Sequence, residues 1–474
     1  MKTLLKEFSD IYEIFDLQRF TANQWRTSTK KERSDRIQKL ENWISSHRKE
    51  IQNALWEDFK KPPLETDFSE IYPVTSEINH NLKNLGKWMK AKSVSTPVNM
   101  LGTKSIIIPE PKGTSLIISP WNYPFNLAIG PLVSALAAGC TAIIKPSELT
   151  SATSALIEKM IGELFKPEEV CVMNGGVEVA QALLELPFDH IFFTGSPKVG
   201  KIVMENASKN LSSVTLELGG KSPTIITKSA NVSDAARKIA FGKFVNCGQT
   251  CVAPDYILVH KDQYEPLIAE LKLAIRDMYD PNHKGIENSK DLARIIDPRH
   301  FARIKGLLQD ALEKGAKLEF GGGSVENERY LEPTIVTGIK SDMEIFEEEI
   351  FGPILPIIPF DTIQECITLI NSKPKPLALY IFDQEKEHQE ILQKTSSGNV
   401  VINDCVLHFL HQNIPFGGVG NSGLGKTHGH AGFLAFTHEK GVLKQRIGLN
   451  NVSLLRPPYG NVAKKIVDSL IKWL

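Results

Sequence analysis

The apolar positions of the chain change period near residue 104, and that change divides it. From Lys31 to Asp58, Ile37, Leu40, Trp43, Ile44, Ile51, Leu55 and Trp56 recur at helical spacing with charged residues between them. Pro62 and Pro63 break the pattern, and a second helical stretch runs from about Val74 to Lys92, where Ile78, Leu82, Leu85 and Trp88 can share a face. Residues up to about 95 read as packing helices with no chemistry of their own. From Lys104 the pattern becomes short apolar runs alternating with helices. Ile106–Ile108 and Thr114–Ile118 are strand-like, and the second runs into Ser119-Pro-Trp-Asn-Tyr-Pro124. The alternation continues as helix 125–138, strand 142–144, helix 151–165, strand 170–173, helix 177–185, strand 190–193, helix 198–208 and strand 214–218. Units of this length predict an α/β fold with a parallel sheet covered by helices on both faces.

In such sheets ligands sit beyond the carboxyl ends of the strands, which is where Asn122, Lys145, Thr194, Gly195 and Glu217 fall. That placement predicts a crevice for a nucleotide-type cofactor. After Gly219-Gly220, read as a hinge between two lobes, a second α/β series begins. It comprises helix 233–242, strand 256–259, helices near 262–278 and 300–315, strand 354–358 and strand 400–402. Residues 462–474 predict a short amphipathic helix, suited either to docking on the body or a sister subunit, or to contact with a membrane surface.

Composition narrows the field. Lys plus Arg equals Asp plus Glu at 55 each in 474 residues, so no global basic field holds nucleic acid. The six cysteines lack a disulfide-framework spacing, and Met1–Lys6 is followed at once by Glu7 and Asp10, unlike a signal peptide. A reduced, cytoplasmic protein is expected. No apolar run reaches the roughly 20 residues that span a bilayer.

The stretch Phe241–Tyr256 carries the chemistry. Cys251 ends a Gly248-Gln-Thr turn and reads either as a thiolate nucleophile on a cleft floor or as a buried small hydrophobe. Glu217 ends an apolar strand. Burial would raise its pKa toward that of a general base, and the alternative is a salt bridge to Lys221. Asn122 is a neutral donor for an oxyanion, or an ordinary turn residue. Gly420-Asn-Ser-Gly-Leu-Gly-Lys-Thr427 fits the P-loop pattern, but no buried strand precedes it, and Gly429 and Gly432 each cost a following helix about 1 kcal/mol relative to alanine. Gly195-Ser-Pro-Lys-Val-Gly-Lys201 has the strand-then-helix context but Ile202 where a magnesium-binding hydroxyl belongs, leaving a turn suited to the phosphates or ribose of a dinucleotide. His428 and His430 have no accompanying ligand cluster, so no metal is expected and a solvent-facing loop is the reading.

Several motifs occur in a fixed order: Pro120-Trp-Asn-Tyr-Pro124, Lys145-Pro-Ser-Glu148, Phe193-Thr-Gly-Ser196, Leu216-Glu-Leu-Gly-Gly220, Gly248-Gln-Thr-Cys251, Glu348-Glu-Ile-Phe-Gly-Pro353 and Pro415-Phe-Gly-Gly-Val-Gly420 with Ser422-Gly423. With these the chain resembles an aldehyde dehydrogenase of the class 3, fatty-aldehyde-type branch, from about Thr21 to Arg446. The resemblance implies Cys251 as nucleophile, Asn122 with the Cys251 N–H as oxyanion donors, and Glu217 as the base that hydrolyses a thioester. It implies a nicotinamide cofactor held by Trp121, Lys145, Glu148, Phe193, Gly195, Ser196, Val199, Gly200, Glu349 and Phe351. NAD is the expected cofactor, because Glu148 favours a 2′-hydroxyl over a 2′-phosphate; NADP is tolerated in the branch.

The implied architecture is two Rossmann-like lobes and a small β arm. The cofactor-binding domain takes residues 1–96 and 111–216, and the catalytic domain 217–412. A bridging, oligomerisation arm takes 97–110 and 437–447, a site-proximal loop 413–436 and a terminal helix 460–474. A homodimer is implied, and Cys247 has no role. Aromatic and apolar residues expected on the tunnel wall (Tyr72, Trp121, Tyr123 and Leu407–Leu410) suggest an apolar aldehyde substrate. The competing readings are a CoA-acylating enzyme, which the presence of Glu217 disfavours, a P-loop hydrolase, and a non-catalytic relative, which intact Cys251, Glu217 and Asn122 oppose.

Overall fold

In the computed structural model, which describes residues 9–97, 100, 102–448 and 450–472, the alternating elements after Lys104 form two separate, mostly parallel sheets. The readings made on Met1–Glu7, on positions 98, 99 and 101 of the arm and on Leu474 of the last helix lie outside the described residues.

The first sheet runs in the order Val170–Val172, Thr141–Lys145, Thr114–Ile118, His190–Gly195, Ser213–Leu218, all parallel, with the short antiparallel strand Gly423–Leu424 on its edge. The three central strands are apolar runs buried nearly throughout, as a sheet covered on both faces requires. The chain starts at Thr114–Ile118, winds outward to Val170–Val172, then crosses back to His190–Gly195 on the other side. The strand order therefore reverses between Ile118 and Phe193, which are register partners. This is the switch point at which such sheets open a crevice.

The second sheet has seven strands in the order Lys317–Phe320, Thr334–Thr337, Ile354–Phe360, Tyr256–His260, Pro223–Ile226, Ala378–Phe382, Asn399–Ile402, and only the first is antiparallel. Its amino edge is entered by Gly219-Gly220 before Pro223, by Cys251 before Tyr256, by Glu349–Phe351 before Ile354 and by Leu377 before Ala378. Residues from that edge and from the carboxyl edge of the first sheet line common cavities, so the site lies between the two sheets.

Of the N-terminal helices, Ser9–Trp25 packs on the first sheet, and those that follow pack on Asn126–Ala138 and Ser151–Leu164, which cover it. The periodic stretch 31–58 is two helices, Lys30–Ser46 and Arg48–Phe59, because the backbone leaves the helical region at His47 (φ −114°, ψ 18°). Thr29 starts the first with a capping box: its hydroxyl accepts the Glu32 N–H, and the Glu32 carboxylate accepts the Thr29 N–H. Beyond Pro63 the chain stays helical through a π turn at Asp67–Ile71 into Tyr72–Trp88. A third sheet pairs Lys104–Pro111 with Thr437–Lys444 over eight residues and adds Lys92–Val94. The terminal helix, Asn461–Lys472, packs beside the turn Asn451–Leu455 and leaves Val462, Val467 and Ile471 exposed. Among the described residues no helix is long and apolar enough to cross a membrane.

Candidate active site

Cys251 is placed by a backbone that few residues tolerate. After the helix Val232–Phe244 the chain turns through Asn246 and Cys247, both at φ 55°, and Gly248 at φ 75°. A β-carbon on Gly248 would stand 2.3 Å from the Gly352 carbonyl oxygen, so glycine here lets the cysteine turn touch the loop that carries Glu349 and Phe351. Gln249 locks the turn: its Nε2 donates to the Asn246 and Arg294 carbonyls, and its Oε1 accepts the Ile296 N–H at 2.9 Å. Cys247 points into the core, whereas Cys251 is half-buried and lines the cleft.

Asn122 is buried at the end of strand Thr114–Ile118. Its Nδ2 donates to the Gln249 carbonyl at 3.0 Å, and its own carbonyl accepts from Asn246 Nδ2 at 2.9 Å. Tyr123 adds a 2.6 Å hydrogen bond to Thr250. Underneath lies an ion pair with both side chains fully buried, Lys61 Nζ to Glu70 at 2.6 Å, and the second Glu70 oxygen accepts the Asn126 N–H. The N-terminal segment, read from sequence as scaffold alone, thus meets the site.

Two cavities converge on Cys251. One, of about 250 Å³, is lined by Trp121, Asn122, Gly195, Ser196, Gly219, Glu349 and Phe351, with His300 and Arg303. The other, about 80 Å³ and mostly apolar, is lined by Tyr123, Leu127, Phe192, Val252, Leu377, Phe409 and Phe416 among others. Thr194, Glu217, Leu218 and Cys251 line both. Neither oxygen of the buried Glu217 has a hydrogen-bond partner in the protein, and Thr194 Oγ1 has none either. Burial raises Glu217 well above the usual carboxyl range, with Lys426 opposing. Burial, then the neighbouring carboxyls of Glu349 and Glu217, push the Cys251 thiol up to about 12. Glu349 itself rises to about 8 through burial and the nearby Asp255.

The salt bridge considered between Glu217 and Lys221 does not form. Lys221 pairs with Asp255 and donates to the Ile345 and Glu348 carbonyls, pinning the Glu349 loop instead. Arg303 holds the same loop through the Ile350 carbonyl at 2.7 Å. Trp121 stands edge-on to both His300 and Phe351. His300 and Arg303 escaped the sequence reading, although the Asp297-Pro298 start of their helix, with Asp297 accepting the His300 N–H, is a cap signal.

The fit to a dinucleotide rests on the first cavity. Ser196 caps the helix Pro197–Asn210 by accepting the Val199 N–H, so that helix's N-terminus opens on the crevice. A β-carbon on Gly219 would come within 2.3 Å of Glu349 Oε2, so glycine here lets that carboxyl lie against the backbone. At the end of strand Thr141–Lys145 the buried Lys145 pairs with Glu148 at 2.7 Å; burial pushes Glu148 up, but its hydrogen bonds and the charges of Lys145 and Arg299 together hold it low. Phe193 lies in the core, Gly200 packs on Leu218 and Val199 is 43% exposed; these three shape the turn and do not line the cleft.

Two readings need correction, and the P-loop alternative lacks its geometry. His428 is not solvent-facing: its positive φ of 70° turns the ring onto Phe416, with centroids 5.1 Å apart, and burial lowers its pKa to about 4. His430 is exposed as expected. Lys426 of the P-loop look-alike is spent on the Gly417 and Gly418 carbonyls, and a helix of only seven residues follows. On the tunnel wall, Tyr123 and Phe409 line the inner cavity, but Trp121 lines the other one, Tyr72 and Leu407 are exposed, and His408 is buried behind Phe416.

The model of the aldehyde dehydrogenase family matches residues 8–442. The 4,4'-diaponeurosporen-aldehyde dehydrogenase of Staphylococcus aureus is 45% identical over 435 residues, covering 92% of this chain and 93% of its own length. Aldehyde dehydrogenase family 3 member A2 of Pongo abelii is 41% identical over 433 residues, with coverages of 91% and 88%. The substrate-bound structure of Staphylococcus aureus AldH superposes with a TM-score of 0.93 at 43% identity, over 97% of this chain and 99% of that one. The NAD+ complex of an aldehyde dehydrogenase from Bacillus cereus gives 0.82 at 28%, over 92% and 89%.

Proposed function

The chain belongs to the aldehyde dehydrogenase family, whose members oxidise aldehydes, with class 3 relatives among its matches, and from that premise we propose that it converts an apolar aldehyde to the carboxylic acid with NAD as electron acceptor. One observation carries the reading: Cys251 and Glu217 line both the polar crevice beside a helix N-terminus and the apolar cavity behind it. The apolar cavity takes the aldehyde chain.

Cys251 attacks the carbonyl carbon. Burial favours its protonated form, so the thiol proton passes to water as the sulfur attacks. The oxyanion is met by the Asn122 amide and the Cys251 N–H; one such donor is worth about 3 kcal/mol. When bound, the nicotinamide supplies the acceptor for the hydride that leaves the thiohemiacetal. Trp121, Glu349 and Phe351 would hold that ring and its ribose, and Ser196 with the helix behind it the pyrophosphate. Lys145 and Glu148 would hold the adenosine ribose, and the Glu148 charge would favour NAD while NADP remains usable. A thioester on Cys251 results, and Glu217 deprotonates the water that hydrolyses it.

The paired strands Lys104–Pro111 and Thr437–Lys444 would join two subunits in a homodimer, and a cytoplasmic enzyme fits the free cysteines. The test follows NADH or NADPH absorbance with aldehydes of increasing chain length, beside Cys251→Ala. Turnover that needs CoA, or none in any aldehyde, would sink the hydrolytic reading.

A further inference from the structure

The cavity behind Cys251 reaches a second carboxyl group without a role in the mechanism above. Glu77, on the helix Tyr72–Trp88, is buried and lines the same space as Glu217. Water needs roughly 15 Å³ a molecule and polar partners, so with the aldehyde chain on the apolar lining a proton crosses only along the polar side of that space. Its polar wall includes Thr194, Ser134, Thr427 and Gln412. Glu77 is anchored there: Oε1 accepts from the Gly429 N–H and from Asn81 Nδ2, both at 2.8 Å, and Oε2 faces the same N–H at 3.1 Å. Glu217 has no such anchor. Beyond Glu77 the wall is thin. Gln412 and His428 line both this cavity and an outer one of about 830 Å³, which His80, one turn along the helix, also lines.

Building on the reading of Glu217 as the hydrolytic base, we infer that Glu77 is the second station for its proton. As the water oxygen bonds to the thioester carbon, one water proton goes to Glu217. Glu217 passes it through cavity water to Glu77, which releases it toward the outer cavity. The carbon–sulfur bond breaks with its electron pair on Cys251, and the second water proton, left on the product acid, returns to that sulfur. The carboxylate then departs and the enzyme is restored. Burial raises the Glu77 carboxyl to about 7, against hydrogen bonds from Asn81 and Gly429, so it can take up and release a proton near neutrality. The titratable groups facing it are His80 on its own helix and His428 beside Gly429, both lowered by burial. Lys426 lies toward Glu217, and the helix Asn126–Ala138 adds no charge.

The experiment compares the first-turnover NADH burst with the steady-state rate for wild type, Glu77→Gln, Thr427→Val and Glu217→Gln across pH. Glu77→Gln should keep the burst, lower the steady-state rate about tenfold and lose the rise of that rate with pH through neutrality. Thr427→Val, which leaves the Glu77 anchors intact, should act in the same direction and serves if the first variant fails to fold. A wild-type steady state and pH profile in both variants would overturn the relay. So would burst and steady state falling together, or a change in KM alone, which mark a structural or substrate-contacting residue. Glu217→Gln separates the two levels. Hydrolysis that survives it removes Glu217 as the base; hydrolysis abolished by it yet untouched by Glu77→Gln removes only the relay.

Discussion

The two parallel sheets end in carboxyl edges of opposite character. On the second sheet Asp383 follows strand Ala378–Phe382. Its Oδ1 accepts from Thr227 and Ser229 side chains and the Glu385 N–H, and its Oδ2 meets His388 Nδ1 at 2.6 Å. Asn403 from the next strand ties down the Asp383 backbone on both sides. On the first sheet Glu217 is as buried, 5% exposed against 3%, yet accepts no hydrogen bond, and neither does nearby Thr194 Oγ1. Burial pushes both carboxyls up. At Asp383 the hydrogen bonds, His388 first, outweigh it and bring the value down to about 2; at Glu217 nothing does. One architecture thus yields an edge where polar groups are paired and an edge where they stand unpaired, the one the proposed reaction uses.

The contrast predicts where substitutions bite. The largest effect belongs to Cys251→Ala, which should lower aldehyde oxidation by at least about a thousandfold, with Cys247 giving no rescue from its place in the core. Stopped-flow NADH measurements check this, and residual turnover near wild type would move the nucleophile elsewhere. Next comes Glu217→Gln, which should keep the burst and slow hydrolysis roughly a hundredfold or more. Because the base acts deprotonated and its pKa is raised, the wild-type rate should climb with pH well above the usual carboxyl range, and that limb should vanish in the variant. Third is Gly219→Ala, whose β-carbon would push Glu349 aside; KM for NAD should rise about tenfold or more with the fold intact. An unchanged KM would remove Glu349 and Gly219 from the cofactor cradle.

Much of this was legible in the sequence because parallel strands buried on both faces leave apolar runs that spacing alone reveals. The five parallel strands of the first sheet and the helices between them fall within three residues of their predicted ends, whereas the edge strand Gly423–Leu424 was not foreseen. The second sheet was harder. Pro223–Ile226, Thr334–Thr337 and Ala378–Phe382 are runs of four or five residues, too short to separate from a helix segment by period. The helical period across His47 hid a break, since the apolar spacing carries through it. At the site, Asn122, Glu217 and Cys251 stood out through ordered motifs, and the structure gathers them around two joined cavities. Glu77, His300 and Arg303 did not, because each reaches the site from a helix whose own pattern is ordinary and only tertiary packing aims it there. His428 was misread because a polar neighbourhood concealed a left-handed backbone that turns the ring inward.

The smallest effects give the sharpest test, because the two edges should respond with opposite signs. Asp383 is depressed from 3.8 to about 2 in the folded state. Its contribution to stability is therefore present above the unfolded value and lost as pH falls toward 2. Asp383→Asn should destabilise the protein at neutral pH by about 2 kcal/mol, a penalty that fades in strong acid, and leave the chemistry at Cys251 alone. Glu217 runs the other way. Its raised pKa means that the folded state holds a proton the unfolded chain gives up above 4.5, so folding grows less favourable as pH rises from there. Glu217→Gln should thus raise the melting temperature at neutral pH and change it little near pH 4, even as it stops hydrolysis. Calorimetry of both variants at the two pH values decides the matter. If Glu217→Gln lowers the neutral melting temperature as Asp383→Asn does, then Glu217 is a paired structural carboxylate, and the difference between the edges is not one of hydrogen bonding.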